Sequence, residues 1–166
     1  MTTRRTRQVL LAGLAASLLA GCGFQLQGKN ELPAEMASTT IDTSDPYSQF
    51  VRRLSILLEQ NGASVVEAGP PTAILRLPED SVRREVLSIG GTARIREYRV
   101  VHRVRFQLVD AAGTILVPEQ TIELNRVISF DEQNILAATR EEEFLREELA
   151  DTLAREVLRR LGAGAG

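Results

Sequence analysis

The chain has 166 residues, of which 25% are charged, and its formal net charge is −2 at pH 7. This charge balance does not predict the strongly basic surface of a nucleic-acid-binding protein. Only 4% of the residues are aromatic and none is tryptophan, so few side chains could stack on bases or sugars. One cysteine cannot form an intramolecular disulfide, and one cysteine with one histidine cannot supply the several ligands of a zinc site.

The first 21 residues have the pattern of a secretory signal peptide. Arg4, Arg5 and Arg7 form a basic stretch, and the residues from Val9 to Ala20 follow without a charge. This apolar run of about a dozen residues is too short to cross a hydrocarbon core of ~30 Å as a helix. We therefore predict an export signal over residues 1–21.

The end of that signal explains the single cysteine. The sequence Leu19-Ala20-Gly21-Cys22 resembles the lipobox of bacterial lipoproteins, which implies cleavage before Cys22 and acylation of its sulfur and its new amino group. Three acyl chains would hold a domain on a bilayer almost permanently. No cofactor is expected besides this covalent lipid; an ordinary signal peptide or an uncleaved anchor is the alternative. By resemblance to enterobacterial sorting, Gly23 implies forwarding to the outer membrane.

The remaining chain is predicted to form one domain. Residues 22–37 are polar, contain glycine and are interrupted by Pro33, which is typical of a lipidated tether. We place the domain at residues 38–162 and a flexible tail at residues 163–166. Without residues 1–21 the chain has 17 basic and 22 acidic side chains, a net charge of about −5.

The first elements of this domain predict a strand, a helix and a second strand. STTIDT, Ser38 to Thr43, is short and β-branched, as strands are. The helix follows in DPYSQFVRRLSILLEQNG, with Asp45 as N-cap and Pro46 in the first helical position. ASVVE then provides another β-branched segment. The apolar face of the helix is predicted to comprise Phe50, Val51, Leu54, Leu57 and Leu58.

Long extended segments occupy the middle of the chain. The segments Ala73 to Leu77 and Val82 to Ile89 are predicted to form one strand that is broken near Pro78, which should be a bulge or an edge position. Gly90-Gly91 is a hairpin turn signal. In EYRVVHRVRFQLVD, apolar side chains alternate with Arg99, Arg103, Arg105 and Gln107, as in a half-buried antiparallel strand. A turn at residues 110–113 leads to TIELNRVISF, where Ile122, Leu124, Ile128 and Phe130 share one face.

The last predicted element is a long helix. Thr139-Arg140-Glu141-Glu142 matches a capping box, and Leu145, Leu149, Leu153, Val157 and Leu161 recur every four residues. The predicted fold class is α+β: a two-layer sandwich with two helices packed on one face of a mixed, mainly antiparallel four-stranded sheet. The other face of the sheet is left for another partner to cover.

The sequence does not predict an enzyme. The only histidine, His102, is in phase with Tyr98, Val100 and Val104, so we interpret it as a structural residue of the core or its edge. No G-x-S-x-G motif is present, and the cysteine is assigned to lipid attachment. The acidic run at residues 141–143 is explained by helix capping.

Cations concentrate around the predicted Gly90-Gly91 hairpin. They are Arg83, Arg84, Arg94, Arg96 and Arg99. One interpretation is a β-edge kept soluble by charge. The other is a site for an anionic ligand, because guanidinium groups bind phosphates in a bidentate manner. In a Gram-negative envelope the abundant phosphate-bearing ligand is lipopolysaccharide.

The order of several segments is similar to that of the LptE family of lipopolysaccharide-assembly lipoproteins. They are CGFQLQG, TIDTSDPYSQFVRRLSILLEQNG, REYRVVHRVRFQLVDAAGTIL and NRVISFDEQNILAATREEEFLREELADTLAREVLRRL. The resemblance implies a non-enzymatic outer-membrane lipoprotein that plugs and helps to assemble the LptD β-barrel and binds lipopolysaccharide during its transport to the cell surface. No metal site or catalytic residue is implied.

The resemblance also points to ligand-binding residues. Arg140 matches a basic position near the second helix of the family at which lipopolysaccharide contact is implied. At the hairpin tip this sequence has Ser88-Ile89-Gly90-Gly91, with Arg94 and Arg96 beside it. The alternative function is an adaptor lipoprotein of another envelope transporter or secretion system, which its partner would distinguish.

Overall fold

The computed structural model describes residues 32–89, 95–129 and 135–164, and the side chains of residues 89, 95 and 96 are not described. The predicted signal peptide, Cys22, the predicted turn at Gly90-Gly91, Arg94 and Phe130 lie outside the described residues. A 3-10 turn at Ala34–Ala37 precedes strand β1 (Ser38–Thr43), helix α1 (Gln49–Gln60) and strand β2 (Ser64–Val65). Strands β3 (Ala73–Ile89), β4 (Ile95–Asp110) and β5 (Ile115–Ser129) and helix α2 (Ile135–Ala163) follow.

The strands form one mixed sheet in the order β2-β1-β3-β4-β5. β1 pairs in parallel with β2 and β3, whereas β3, β4 and β5 pair antiparallel. The predicted two-layer fold is thus confirmed, with five strands instead of four. The β-branched segment ASVVE, predicted to follow the first helix as a strand, forms β2, which has two residues that pair with β1 at Ser38↔Ser64 and Thr39↔Val65.

Helix α1 begins later than predicted. Its N-cap is Ser48, whose Oγ accepts a 3.0 Å hydrogen bond from the backbone N–H of Val51. Asp45 instead accepts from the backbone N–H of Tyr47 at 3.0 Å, so it organises the turn before the helix. The prediction of Asp45 as N-cap and Pro46 as first helical residue was wrong because two good capping residues stand three positions apart. The five apolar residues predicted for the buried face are all buried.

The irregularity predicted at Pro78 is confirmed. The pairing of β3 with β4 shifts register between Arg76 and Glu79, on either side of Pro78. Because proline has no backbone N–H to donate, an interior strand tolerates it only at such a bulge. β3 therefore continues past Pro78 as a single strand that reaches the hairpin end of the sheet.

Both helices pack on one face of the sheet. From this face β4 contributes Tyr98, Val100, Val104, Phe106 and Leu108, all buried as the alternation predicts. On α2 the four-residue pattern is buried from Leu149 onward, while Leu145 is half-buried. Met36 of the 3-10 turn, within the stretch assigned to the tether, is 1% exposed and belongs to the same core. In the described residues no helix is long and apolar enough to cross a membrane.

Helix α2 has no capping box at Thr139. The helix already includes Ile135, and the Thr139 hydroxyl donates to the carbonyl of Ile135 at 3.0 Å, one turn earlier. Glu142 is 4% exposed and faces the sheet instead of folding back on a helix terminus. The prediction was wrong because a T-x-x-E pattern inside a helix has the same spacing as one at its start.

Candidate functional site

A buried carboxylate joins α2 to the sheet near the hairpin end of β3 and β4. Glu142 accepts hydrogen bonds of 2.8 Å from Arg84 Nε on β3, from the Tyr98 hydroxyl on β4 and from Arg146 Nε on α2. Arg84 also places Nη2 2.6 Å from the same carboxylate, which makes its contact bidentate. These four side chains, Arg84, Tyr98, Glu142 and Arg146, are called the Glu142 cluster below.

Burial and hydrogen bonding within the Glu142 cluster shift the pKa values of Glu142 and Tyr98. Burial alone would raise the pKa of the Glu142 carboxyl, but the hydrogen bonds from Arg84, Tyr98 and Arg146 outweigh it and lower that pKa. Burial, with the adjoining Glu142 carboxylate, raises the pKa of Tyr98 to about 12. Glu142 is therefore ionised and Tyr98 is a neutral donor at physiological pH.

The strand register and the helical period explain why these residues meet. Val86 is opposite Tyr98 in the β3–β4 pairing, so Arg84 lies diagonally across from Tyr98, with its guanidinium 5.4 Å from the ring centre. Glu142 precedes the buried Leu149 by seven residues, two helical turns, and shares its face. Sequence reasoning missed this cluster, although that seven-residue spacing was visible.

A cleft opens beside the Glu142 cluster, between the start of α2 and the ends of β3 and β4. Its volume is about 290 Å³. Val86 and Ile135 at its walls are 52% and 57% exposed. The residues that line it are Arg84, Val86, Tyr98, Ile135, Ala138, Thr139 and Glu142.

The structure places two of the predicted ligand-binding residues at this end of the sandwich. Arg96 precedes Tyr98 by two residues on β4, and Arg140 precedes Glu142 by two residues on α2, so each lies two residues from the Tyr98–Glu142 bond that connects these elements. Arg140 is exposed and does not line the cleft. At 3.6 residues per turn it projects from the outer side of α2, the side of Leu136 and Phe144.

The open face of the sheet carries a lattice of ion pairs. Arg83 bonds Glu85 at 3.1 Å and Glu123 at 3.3 Å, and Glu123 also bonds Arg103 at 2.7 Å. The Arg103 hydrogen bond, with a smaller contribution from Arg83, lowers the pKa of the Glu123 carboxyl. Further pairs join Arg99 to Glu85 at 3.7 Å and Arg105 to Glu79 at 2.8 Å.

Three of the five cations predicted around the hairpin form ion pairs, and the side chains of the other two are not described. Arg83, Arg84 and Arg99 each have a carboxylate partner, which agrees with a charged, solvated surface. Arg94 lies outside the described residues, and the side chain of Arg96 is not described. Arg140 is exposed and forms no ion pair with any residue that the structure describes.

His102 is a structural residue, as predicted. It is 3% exposed, its Nε2 lies 2.7 Å from Asp80 Oδ1, and its ring meets Phe50 edge-on with centroids 6.0 Å apart. The other oxygen of Asp80 accepts a 2.6 Å hydrogen bond from Ser48. The carboxylate thus separates the hydroxyl from the imidazole, so the histidine does not contact the serine as the base of a nucleophile–base pair would. Among the described residues no group of three or more His, Cys, Asp or Glu is arranged to hold a metal ion.

Comparison with protein families gives one match along the folded chain. The model described as "LptE: Lipopolysaccharide-assembly" matches residues 36–161. A protein of Photorhabdus laumondii called LPS-assembly lipoprotein LptE is 28% identical over 153 residues, which cover 92% of this chain and 83% of that protein. The protein of the same name from Yersinia enterocolitica is 30% identical over 160 residues, which cover 92% of this chain and 74% of the relative.

Solved structures share the fold. A lipoprotein B of Nitrosomonas europaea superposes with a TM-score of 0.69 at 28% identity, covering 85% of this chain and 91% of that one. The rare lipoprotein B of Shewanella oneidensis superposes with a TM-score of 0.64 at 27% identity, covering 76% of this chain and 94% of that one. Both are described as lipoproteins, the class that the Cys22 motif predicts.

Proposed function

This chain belongs to the LptE lipopolysaccharide-assembly family, and on that basis we propose that it is a non-enzymatic outer-membrane lipoprotein. In this proposal it plugs and helps to assemble an LptD-like β-barrel, and it binds lipopolysaccharide during the transport of that lipid to the cell surface. The observation that carries the proposal is the extent of the family match, residues 36–161. It runs from the 3-10 turn to the last turns of α2 and therefore includes the complete sandwich.

The open face of the sheet supports the part of the proposal that concerns the barrel. Helices cover one face, and the other presents Arg83, Glu85, Arg103 and Glu123 as alternating, mutually paired charges. The lumen of an outer-membrane barrel is polar. A face whose charges are already paired can meet such a wall without leaving any single charge buried and unpaired.

The proposed lipid anchor completes this arrangement. Cys22 would carry the acyl chains, and Leu32, where the described residues begin, lies ten positions after it. That length of chain spans at most about 35 Å when fully extended. The domain would therefore remain close to the periplasmic surface of the membrane that holds the barrel.

Arg94, Arg96 and Arg140 are proposed to bind the phosphates of lipopolysaccharide at the hairpin end of β3 and β4. The test is binding of purified lipopolysaccharide to a double variant, Arg94→Glu with Arg140→Glu. We expect at least tenfold weaker binding with nearly unchanged thermal stability, since an exposed charge such as that of Arg140 contributes little to folding.

A matched control reverses two exposed arginines at other places, Arg52→Glu with Arg76→Glu, and changes the net charge equally. Loss of binding in the first variant alone supports a local phosphate site. Equal binding by both variants and the parent chain would reject these arginines as the site.

A further inference from the structure

The cleft beside the Glu142 cluster has polar groups that satisfy one another. The Glu142 carboxylate accepts from Arg84, Tyr98 and Arg146, and the Thr139 hydroxyl donates to the carbonyl of Ile135. These groups therefore do not require hydrogen bonds from a ligand. The rest of the lining, which is Val86, Ile135, Ala138 and the Tyr98 ring, is apolar.

The cleft is large enough for an apolar chain. Its volume of about 290 Å³ is roughly twice the ~150 Å³ of an engineered apolar cavity that binds benzene. Two of its wall residues, Val86 and Ile135, leave more than half of their surface exposed. Apolar surface gathered around a cavity is typical of a binding site.

The Glu142 cluster places a cationic side chain next to the cleft. Two guanidinium groups, from Arg84 and Arg146, share the single Glu142 carboxylate, so the cluster keeps one net positive charge. The Arg84 side chain is 60% exposed. A ligand with an apolar chain in the cleft would therefore have a cation within reach of an acidic headgroup.

We propose that this cleft holds one fatty acyl chain of the lipopolysaccharide whose phosphates are bound by Arg140 and the other arginines proposed for that role. The proposal rests on the proposed function and adds to it a separate apolar subsite. Arg140 lies on the outer side of α2 and the cleft on its inner side, so headgroup and chain would contact different sides of the first turns of the helix.

Photo-crosslinking in living Gram-negative cells tests the chain contact in the full-length lipoprotein. A p-benzoylphenylalanine replaces Ile135 in the cleft wall in one strain and Leu136, which is 77% exposed on the side of α2 that carries Arg140, in another. We expect both to crosslink to lipopolysaccharide, with the bond on a fatty acyl chain from position 135 when the adduct is mapped by mass spectrometry. Adducts from position 136 alone would overturn the acyl subsite and leave the proposed function standing. No adduct from either position would count against both.

Filling the cleft provides a second, independent test. Thr139→Phe adds bulk from an exposed position in the lining, and Ala137→Phe adds the same ring at an exposed position of the same turn outside the lining. We expect Thr139→Phe to weaken binding of intact lipopolysaccharide at least tenfold and to leave binding of fully deacylated lipopolysaccharide unchanged, with Ala137→Phe like the parent chain. Undiminished binding of the intact molecule by Thr139→Phe would overturn the subsite.

Discussion

The Tyr98 hydroxyl donates a 2.8 Å hydrogen bond to the Glu142 carboxylate, and this bond connects strand β4 to helix α2 across 44 residues of sequence. Tyr98 is 7% exposed and Glu142 is 4% exposed, so the bond is shielded from water. It fixes the start of α2 over the hairpin end of the sheet, where the candidate binding residues lie.

Removing this bond should destabilise the fold measurably. Tyr98→Phe leaves Glu142 with Arg84 and Arg146 but without its phenol donor, and a hydrogen bond to a charged group contributes about 1.5–3 kcal/mol. We expect a decrease of about 2 kcal/mol in the free energy of unfolding, measured by urea denaturation. Tyr47→Phe is the control, since Tyr47 is 80% exposed, and it should change stability by less than ~0.5 kcal/mol. Equal effects of the two substitutions would contradict the role of the Tyr98 bond.

The pH dependence of stability should include a contribution from Glu142. Its folded-state pKa lies below the ordinary value of 4.5, so its ionisation stabilises the fold above that value, and the contribution is lost as the pH falls through the folded-state pKa. We expect the free energy of unfolding of the parent chain to fall more steeply below about pH 5 than that of Glu142→Gln. Parallel curves in acid denaturation would show that Glu142 does not contribute.

Ser48 should matter beyond capping α1. Its hydroxyl oxygen accepts from the backbone N–H of Val51, and the hydroxyl donates to Asp80, which also binds His102. Ser48→Ala removes both bonds and should cost about 1–2 kcal/mol in thermal or urea unfolding. Ser55→Ala is the matched control, because the Ser55 hydroxyl only donates to the carbonyl of Val51 within the helix. A larger loss for Ser55→Ala than for Ser48→Ala would refute this assignment.

The anchor prediction concerns Cys22. Cys22→Ala removes the only site for the proposed lipid and should leave a folded domain that no longer partitions with membranes, as measured by flotation of cell fractions. The test is made in cells lacking the barrel partner, which could otherwise retain the domain. Recovery of the variant in the membrane fraction would contradict lipid anchoring at this residue.

Much of the fold was predictable because strong periodicity determined it. The three- and four-residue spacing in α1 and the alternation in β4 identified their buried faces correctly, and Pro78 marked the bulge of β3. These features depend on local pattern and on burial, both of which the sequence contains. Helix starts were less predictable, since Asp45 and Ser48 are both good caps and only tertiary contact with Asp80 favours Ser48.

The candidate site was predictable only in part. Arg96 and Arg140 were identified by resemblance, and the structure brings their elements together. Glu142 was interpreted as a capping residue because its pattern matched one, and its bond to Tyr98 depends on a contact between distant parts of the chain. Likewise the ion pairs of Arg83 with Glu123 and of Arg99 with Glu85 arise from strand register, which composition does not reveal.

The central claim is that this lipoprotein works as the plug of an outer-membrane lipopolysaccharide translocon. The most direct test is affinity purification of the tagged, lipidated protein from detergent-solubilised outer membranes, followed by mass spectrometry of what accompanies it. If the chain is such a plug, a large outer-membrane β-barrel accompanies it in roughly stoichiometric amount. Recovery of an inner-membrane transporter or a secretion machine in its place, with no barrel, would contradict that role and make the chain an adaptor.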